Sequence, residues 1–167
     1  MSKQIPVWNP ASEPNVQIIG ASTAADVDGY ANTIRSLGGR VVTVTAPRPA
    51  LDPFAPWTPR QREVIETLSS VVKMMSERYR QHHSDGEARD RVPPVLLHID
   101  EYDALLEAAS SAQERTSIHD ALDLILNLGH CAGICTIWTG NSEQLDPVNR
   151  WNLTRVPATR VQTRRAA

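Results

Sequence analysis

Val92-Pro-Pro-Val-Leu-Leu-His-Ile-Asp-Glu-Tyr102 is the stretch on which the reading of this chain turns. Val95 to Ile99 is a short apolar run placed directly after Pro93 and Pro94. It is too brief for an independent helix and ends on two adjacent carboxylates, Asp100 and Glu101. A buried strand that delivers both acids to a sheet edge is therefore expected. Open α/β sheets do their chemistry at that edge. An acid there can hold a divalent cation, directly or through water, and a glutamate beside it can polarise an attacking water. An ordinary strand followed by two solvated acids has the same local sequence, so the neighbouring segments have to decide.

Upstream, residues 1 to 15 carry Pro6, Pro10 and Pro14 around Trp8 and suit an extended arm that Trp8 anchors. Val16 to Ile19 is a strand candidate, followed by the loop Gly20 to Val27 and a helical stretch to about Leu37, where Gly38-Gly39 supplies a stop. Arg40 to Thr45 reads as a second strand, and Ala46 to Pro59 as a loop with five prolines. Thr58, Pro59 and Gln61 mark the start of the next helix. Its packed face is expected to be Val64, Ile65, Leu68, Val71, Val72, Met75 and Tyr79.

Downstream, Tyr102 to Ser110 reads as a short helix and Ser117 to Leu128 as a longer one, with Ile118, Ala121, Leu122, Ile125 and Leu128 inward and Gly129 at its end. Ile134 to Thr139 and Ala158 to Thr163 complete the strands. The order β-α-β-α-β-α-α-β-β calls for one α/β domain over residues 16 to 165: a mainly parallel sheet of about five strands with helices on both faces. Such a sheet brings the loop after the first strand, the acids after the third, and Thr139 to Asn141 after the fourth to one edge, where a nucleotide would sit.

Composition excludes several classes. Among 167 residues, 41% are hydrophobic and 22% charged, an ordinary globular balance. No apolar run approaches the ~18 residues of a membrane span, and the N-terminus has no signal-peptide core, so a cytoplasmic protein is expected. Two cysteines, Cys131 and Cys135, make no disulfide framework. With His130 they put three potential zinc ligands in six residues, but helix end and strand do not converge, and reduced buried thiols fit better. The net charge of -2 is unevenly spread: residues 148 to 167 hold five arginines and no acid. Arg160, Arg164 and Arg165 are candidate contacts to duplex phosphates, although a solvated terminus reads the same way.

Four segments together resemble the motor domain of FtsK-type DNA translocases, in the RecA-like P-loop class that also holds the HerA-type enzymes. Val95 to Glu101 is similar to that family's Walker B strand and catalytic glutamate, and Met75-Ser-Glu-Arg-Tyr79 to its Met-x-x-Arg-Tyr helix end. Gly129-His-Cys-Ala-Gly-Ile134 and the following strand resemble the segment that leads to a polar sensor residue. Asn152 to Arg164 resembles the closing strand. The resemblance implies ATP and Mg²⁺ as cofactors, Asp100 as metal-holding acid, Glu101 and Asn141 as catalytic residues, and Gly20, Ser22, Thr23, Asp26, Val27 and Thr139 around the nucleotide. It also implies double-stranded DNA bound without sequence preference, and a homo- or hetero-oligomeric ring of motor subunits. The chain opens almost at its first core strand, so anchors and DNA-reading domains of such motors are expected to be absent and targeting to come from partners.

The departures carry as much information. A working phosphate loop is Gly-x4-Gly-Lys-Ser/Thr: glycine for close backbone approach, lysine for charge, a hydroxyl for Mg²⁺. Counted from Gly20, those positions hold Ala25, Asp26 and Val27. Two unit charges ~4 Å apart interact by about 4 kcal/mol at an effective dielectric near 20, and reversing one sign roughly doubles the swing. The only lysines, Lys3 and Lys73, are remote in sequence. His130 also replaces the family's arginine, removing a contact to a neighbouring site. Three functions follow: an FtsK-like DNA-transfer motor, a pseudo-ATPase serving an active motor as structural or regulatory partner, or a small-ligand or metal-binding α/β protein with similarity of fold alone.

Overall fold

A computed structural model describes residues 8–19, 24–45, 59–82, 92–109, 111–139 and 153–158. The elements are β1 (Asn15–Ile19), α1 (Ala24–Ser36), β2 (Arg40–Thr45), α2 (Pro59–His82), β3 (Val95–Asp100), α3 (Tyr102–Glu107), α4 (Ala112–Leu128), β4 (Ile134–Thr139) and β5 (Thr154–Pro157). The five strands form one parallel sheet in the order β2-β3-β4-β1-β5. The chain leaves β1 for the far edge, walks back through β3 and β4, and crosses β1 to add β5. Parallel strands need crossovers that cover both faces. Accordingly there are two cores.

Period-two alternation assigns each strand residue to one of them. Val95, Leu97 and Ile99 turn toward α2, α3 and α4, where Leu68, Val71, Leu105, Leu122 and Ile125 are buried with Trp138. Leu96 turns the other way, joining Val16, Ile18, Cys135 and Ile137 beneath Ala31 and Ile34 of α1. Trp8 reaches this second core and meets Tyr30 edge-on at 5.1 Å, its indole N–H donating to the Glu13 carbonyl. Buried Asn15 binds β1 to α4 by donating to the Leu126 carbonyl at 2.8 Å.

Several boundaries differ from the sequence reading. α4 starts at Ala112 rather than Ser117, because the Ser111 hydroxyl accepts the Glu114 N–H at 3.1 Å in a Ser-x-x-Glu cap. α3 ends at Glu107. Leu128 and Tyr79 are 46% and 38% exposed, so neither belongs to the core stripes. Gly129 does not end the helix in a left-handed cap: its φ is -60°, and the backbone tightens into a 3-10 turn over Gly129–Ala132 before Gly133 turns left-handed at φ 71°. Gly129 is small for packing, since a Cβ there would stand 3.3 Å from that of Ile134. A strand over Thr154–Pro157, ahead of the expected one, is the last among the described residues. Val156 supplies its one inward apolar residue, and Pro157 is tolerated because this strand is an edge. Thr58, the side chain of Gln61, and residues 159 to 163 lie outside what is described.

Candidate functional site

Because every strand is parallel, β1, β3 and β4 all end at one edge, and the register aligns those ends. Thr45 pairs with Asp100, Ile99 with Trp138, and Ile18 with Thr139. Asp100 and Thr139 are thus on one rung and on the α1 face. The chain leaves β1 at Ile19, immediately before Gly20, at that same edge. The crevice beyond the carboxyl ends of such strands, where connections depart to opposite faces, is the ligand position of open α/β folds.

A single hydroxyl organises the exit of β3. Thr139, 1% exposed, donates to Asp100 Oδ1 at 3.2 Å, with the Ile99 carbonyl as a longer alternative at 3.4 Å, and accepts the backbone N–H of Glu101 at 3.0 Å. Glu101 is the one non-glycine residue at positive φ among those described, at φ 52° and ψ 68°. For an ordinary side chain this left-handed conformation costs roughly 1–3 kcal/mol, and strain of that kind gathers where geometry serves function. Glu101 precedes α3 without a side-chain capping bond and its side chain is exposed. Immediately beyond, buried Tyr102 packs on Trp138 with ring centroids 4.3 Å apart, which fixes α3 against β4. Burial, then the neighbouring Asp103, pushes the Tyr102 phenol up to about 12.

His98, quoted in the stretch above but given no role there, lies two residues before Asp100 on the same face of β3 and is half-buried. Its Nε2 has no hydrogen-bond partner in the structure. Burial holds its pKa below the usual imidazole value, against a weaker upward pull from Asp100. The alternation of the strand was the signal that would have paired these two side chains.

At the start of α1, Asp26 is in the first turn and acts on Tyr30, whose phenol is raised by burial, then Glu13, then Asp26. Val27 packs against the α1-face core. Gly20, Ser22, Thr23 and Asn141, and with them Arg160, Arg164 and Arg165, lie outside the described residues. Arg155 from the basic C-terminal region is a sheet residue, its Nε donating to Gln17 Oε1 at 3.2 Å. Cys131 is exposed with its sulfur 3.2 Å from His130 Nε2, whereas Cys135 is buried in β4. Among the described residues no group of three or more His, Cys, Asp or Glu side chains is arranged to hold a metal ion. None of the described helices is long and apolar enough to cross a membrane.

Sequence reasoning gave Arg78 no contact and put Tyr79 in the packed stripe; the structure gives both of them backbone carbonyls as partners. Arg78 forks, Nη1 donating to the Ala132 carbonyl at 2.8 Å and Nη2 to that of Pro93 at 3.0 Å; the Tyr79 hydroxyl donates to the Leu128 carbonyl at 2.6 Å. Both act at the amino edge of the sheet.

No family model and no curated protein matches the chain. Among solved structures, the fold is similar to EssC (ATPases 2 and 3) from Geobacillus thermodenitrificans, with a TM-score of 0.52 and 12% identity. The match covers 91% of this chain and 33% of that one, so the chain spans about a third of the solved structure. At this identity the likeness speaks for the fold alone: an α/β domain whose five-stranded parallel sheet is of the RecA-like kind.

Proposed function

We propose that this chain is an FtsK-like subunit of a DNA-translocating or DNA-transfer apparatus, with its nucleotide site at the carboxyl edge of the sheet. The observation that carries this reading is Glu101, strained into the left-handed region and held by Thr139 beside Asp100. Asp100 would hold Mg²⁺ through water, Glu101 would polarise the water that attacks, and Asn141 would orient it. The fold's likeness to a structure described as containing ATPases supports the same direction. Arg160, Arg164 and Arg165 would contact duplex phosphates.

The phosphate-holding half fits ATP poorly. Asp26 replaces the lysine, and Val27 packs against the α1-face core. That observation favours a second reading, a pseudo-ATPase that joins a ring of active motors as structural or regulatory partner. DNA-stimulated phosphate release that disappears in Glu101→Ala supports an active motor. Absence of release, with incorporation into rings of a complete motor, supports the pseudo-ATPase. DNA affinity that falls steeply with salt and weakens when Arg160, Arg164 and Arg165 are replaced supports the duplex contact. Absence of both release and DNA binding removes the DNA-transfer reading.

A further inference from the structure

The β2 edge offers a surface that the nucleotide reading does not use. Among the described strands, β2 is an outer one of the sheet. The Arg40 N–H donates to the Pro94 carbonyl, on the β3 side. In a parallel strand each residue directs its N–H and C=O to the same side, alternating along the chain. Arg40, Val42 and Val44 therefore bond inward, and Val41, Thr43 and Thr45 direct theirs outward. Thr43 and Thr45 are exposed and Val41 is half-buried. Edges are commonly blunted by proline, lysine, a bulge or a covering element. The sequence Arg-Val-Val-Thr-Val-Thr is strongly β-forming and has neither proline nor lysine.

Beside this edge β2 and α2 bound an open groove of about 400 Å³. Val42, Val71 and Met74 form its apolar floor; α2 runs back against the direction of β2, so Arg40 and Met74 mark one end and Glu63 and Glu66 the other. The groove is thus positive at the start of β2 and negative toward its finish.

We propose that this edge is an isologous interface with a second copy of this chain, the two β2 strands pairing antiparallel about Thr43 to join the two sheets into one. The outward-facing set is centred on Thr43, so a two-fold axis there pairs Thr43 with the partner's Thr43 and Val41 with the partner's Thr45, each pair exchanging both backbone hydrogen bonds. The same rotation carries Arg40 to the acidic end of the other groove, against the partner's Glu63 and the partner's Glu66, and does so twice by symmetry. A parallel arrangement would set arginine against arginine. Complementary charge and a symmetric set of outward-directed backbone groups thus select the same partner and the same register.

Sedimentation equilibrium of the full chain at tens of micromolar and low salt tests this. The expected mass is twice 18.4 kDa. Thr43→Pro removes an outward N–H and no bond to β3, and is expected to give a monomer with unchanged circular dichroism. Arg40→Glu is expected to raise the dimer dissociation constant about tenfold or more, and Glu63→Arg with Glu66→Arg in the same chain to restore it. If Thr43→Pro does not fold, the charge reversal and its rescue decide. A wild-type monomer overturns the proposal, including one that pairs only with a segment of another protein. So does a dimer indifferent to Arg40→Glu, or a reversal that the charge swap fails to rescue. Nucleotide and DNA enter none of these measurements, so the outcome is independent of the proposed motor role.

Discussion

The two edges of the sheet are built to different rules. At the amino edge several of the described joints are tied. Arg78 clamps two carbonyls from separate loops, Tyr79 holds the end of α4, the Val95 N–H donates to the Gly133 carbonyl, and Gly39 packs so closely on Pro94 that a side chain there would collide with backbone. At the carboxyl edge one hydroxyl, Thr139, organises the exit of β3, while a strained residue presents a carboxylate to solvent. Among the described residues, Arg78 and Tyr79 tie the end where strands enter, and conformational cost is tolerated at Glu101, where β3 leaves. That division is expected of a sheet whose ligand binds outside its carboxyl ends.

The contrast can be broken by substitution, most strongly at Arg78. Arg78→Met keeps the apolar stem and removes the fork, leaving the Ala132 and Pro93 carbonyls without it; a loss of about 2–3 kcal/mol is expected in denaturant unfolding. Thr139→Val preserves shape and deletes the hydroxyl. It should cost about 1–2 kcal/mol by the same measurement, because the Glu101 N–H loses its acceptor. Glu101→Gly should act with the opposite sign: relief of the left-handed strain is expected to stabilise the fold by about 1 kcal/mol while abolishing whatever the carboxylate does. A destabilised Glu101→Gly would show that the residue is there for structure.

The smallest effect concerns pH. The folded-state pKa of His98 is depressed by burial, so across the interval between its folded and unfolded values the unfolded chain binds more protons. Stability therefore falls as pH drops through the unfolded value of about 6.5. His98→Gln is expected to flatten that part of the profile, read from unfolding midpoints at pH 7 and pH 5. A profile unchanged by the substitution would place the acid sensitivity elsewhere.

Much of this was legible because certain residues leave few choices. Two prolines, a short apolar run and an acid pair allowed little except β3, and the three- and four-residue spacing from Val64 to Met75 allowed little except α2. The missed start of α4 was also written in the chain, as Ser111-x-x-Glu114, but the apolar pattern that begins only at Ile118 drew the boundary inward. The strand at Thr154–Pro157 went unread because an edge strand with one inward apolar residue has almost no periodic signal. The conformation of Glu101 left no trace at all: left-handed backbone is signalled by glycine or asparagine, and here it is imposed by Thr139, 38 residues away. The Arg78 fork was hidden for the same reason, its acceptors being carbonyls, which have no sequence identity.

Equilibrium binding of labelled Mg-ATP to the wild-type chain and to Asp26→Lys tests most directly whether the carboxyl edge is a nucleotide site whose phosphate-holding half has been lost. The expected result is weak, unsaturated binding by the wild type and clearly tighter binding by the lysine variant. Tight binding by the wild type, or no gain on restoring the positive charge, would contradict it.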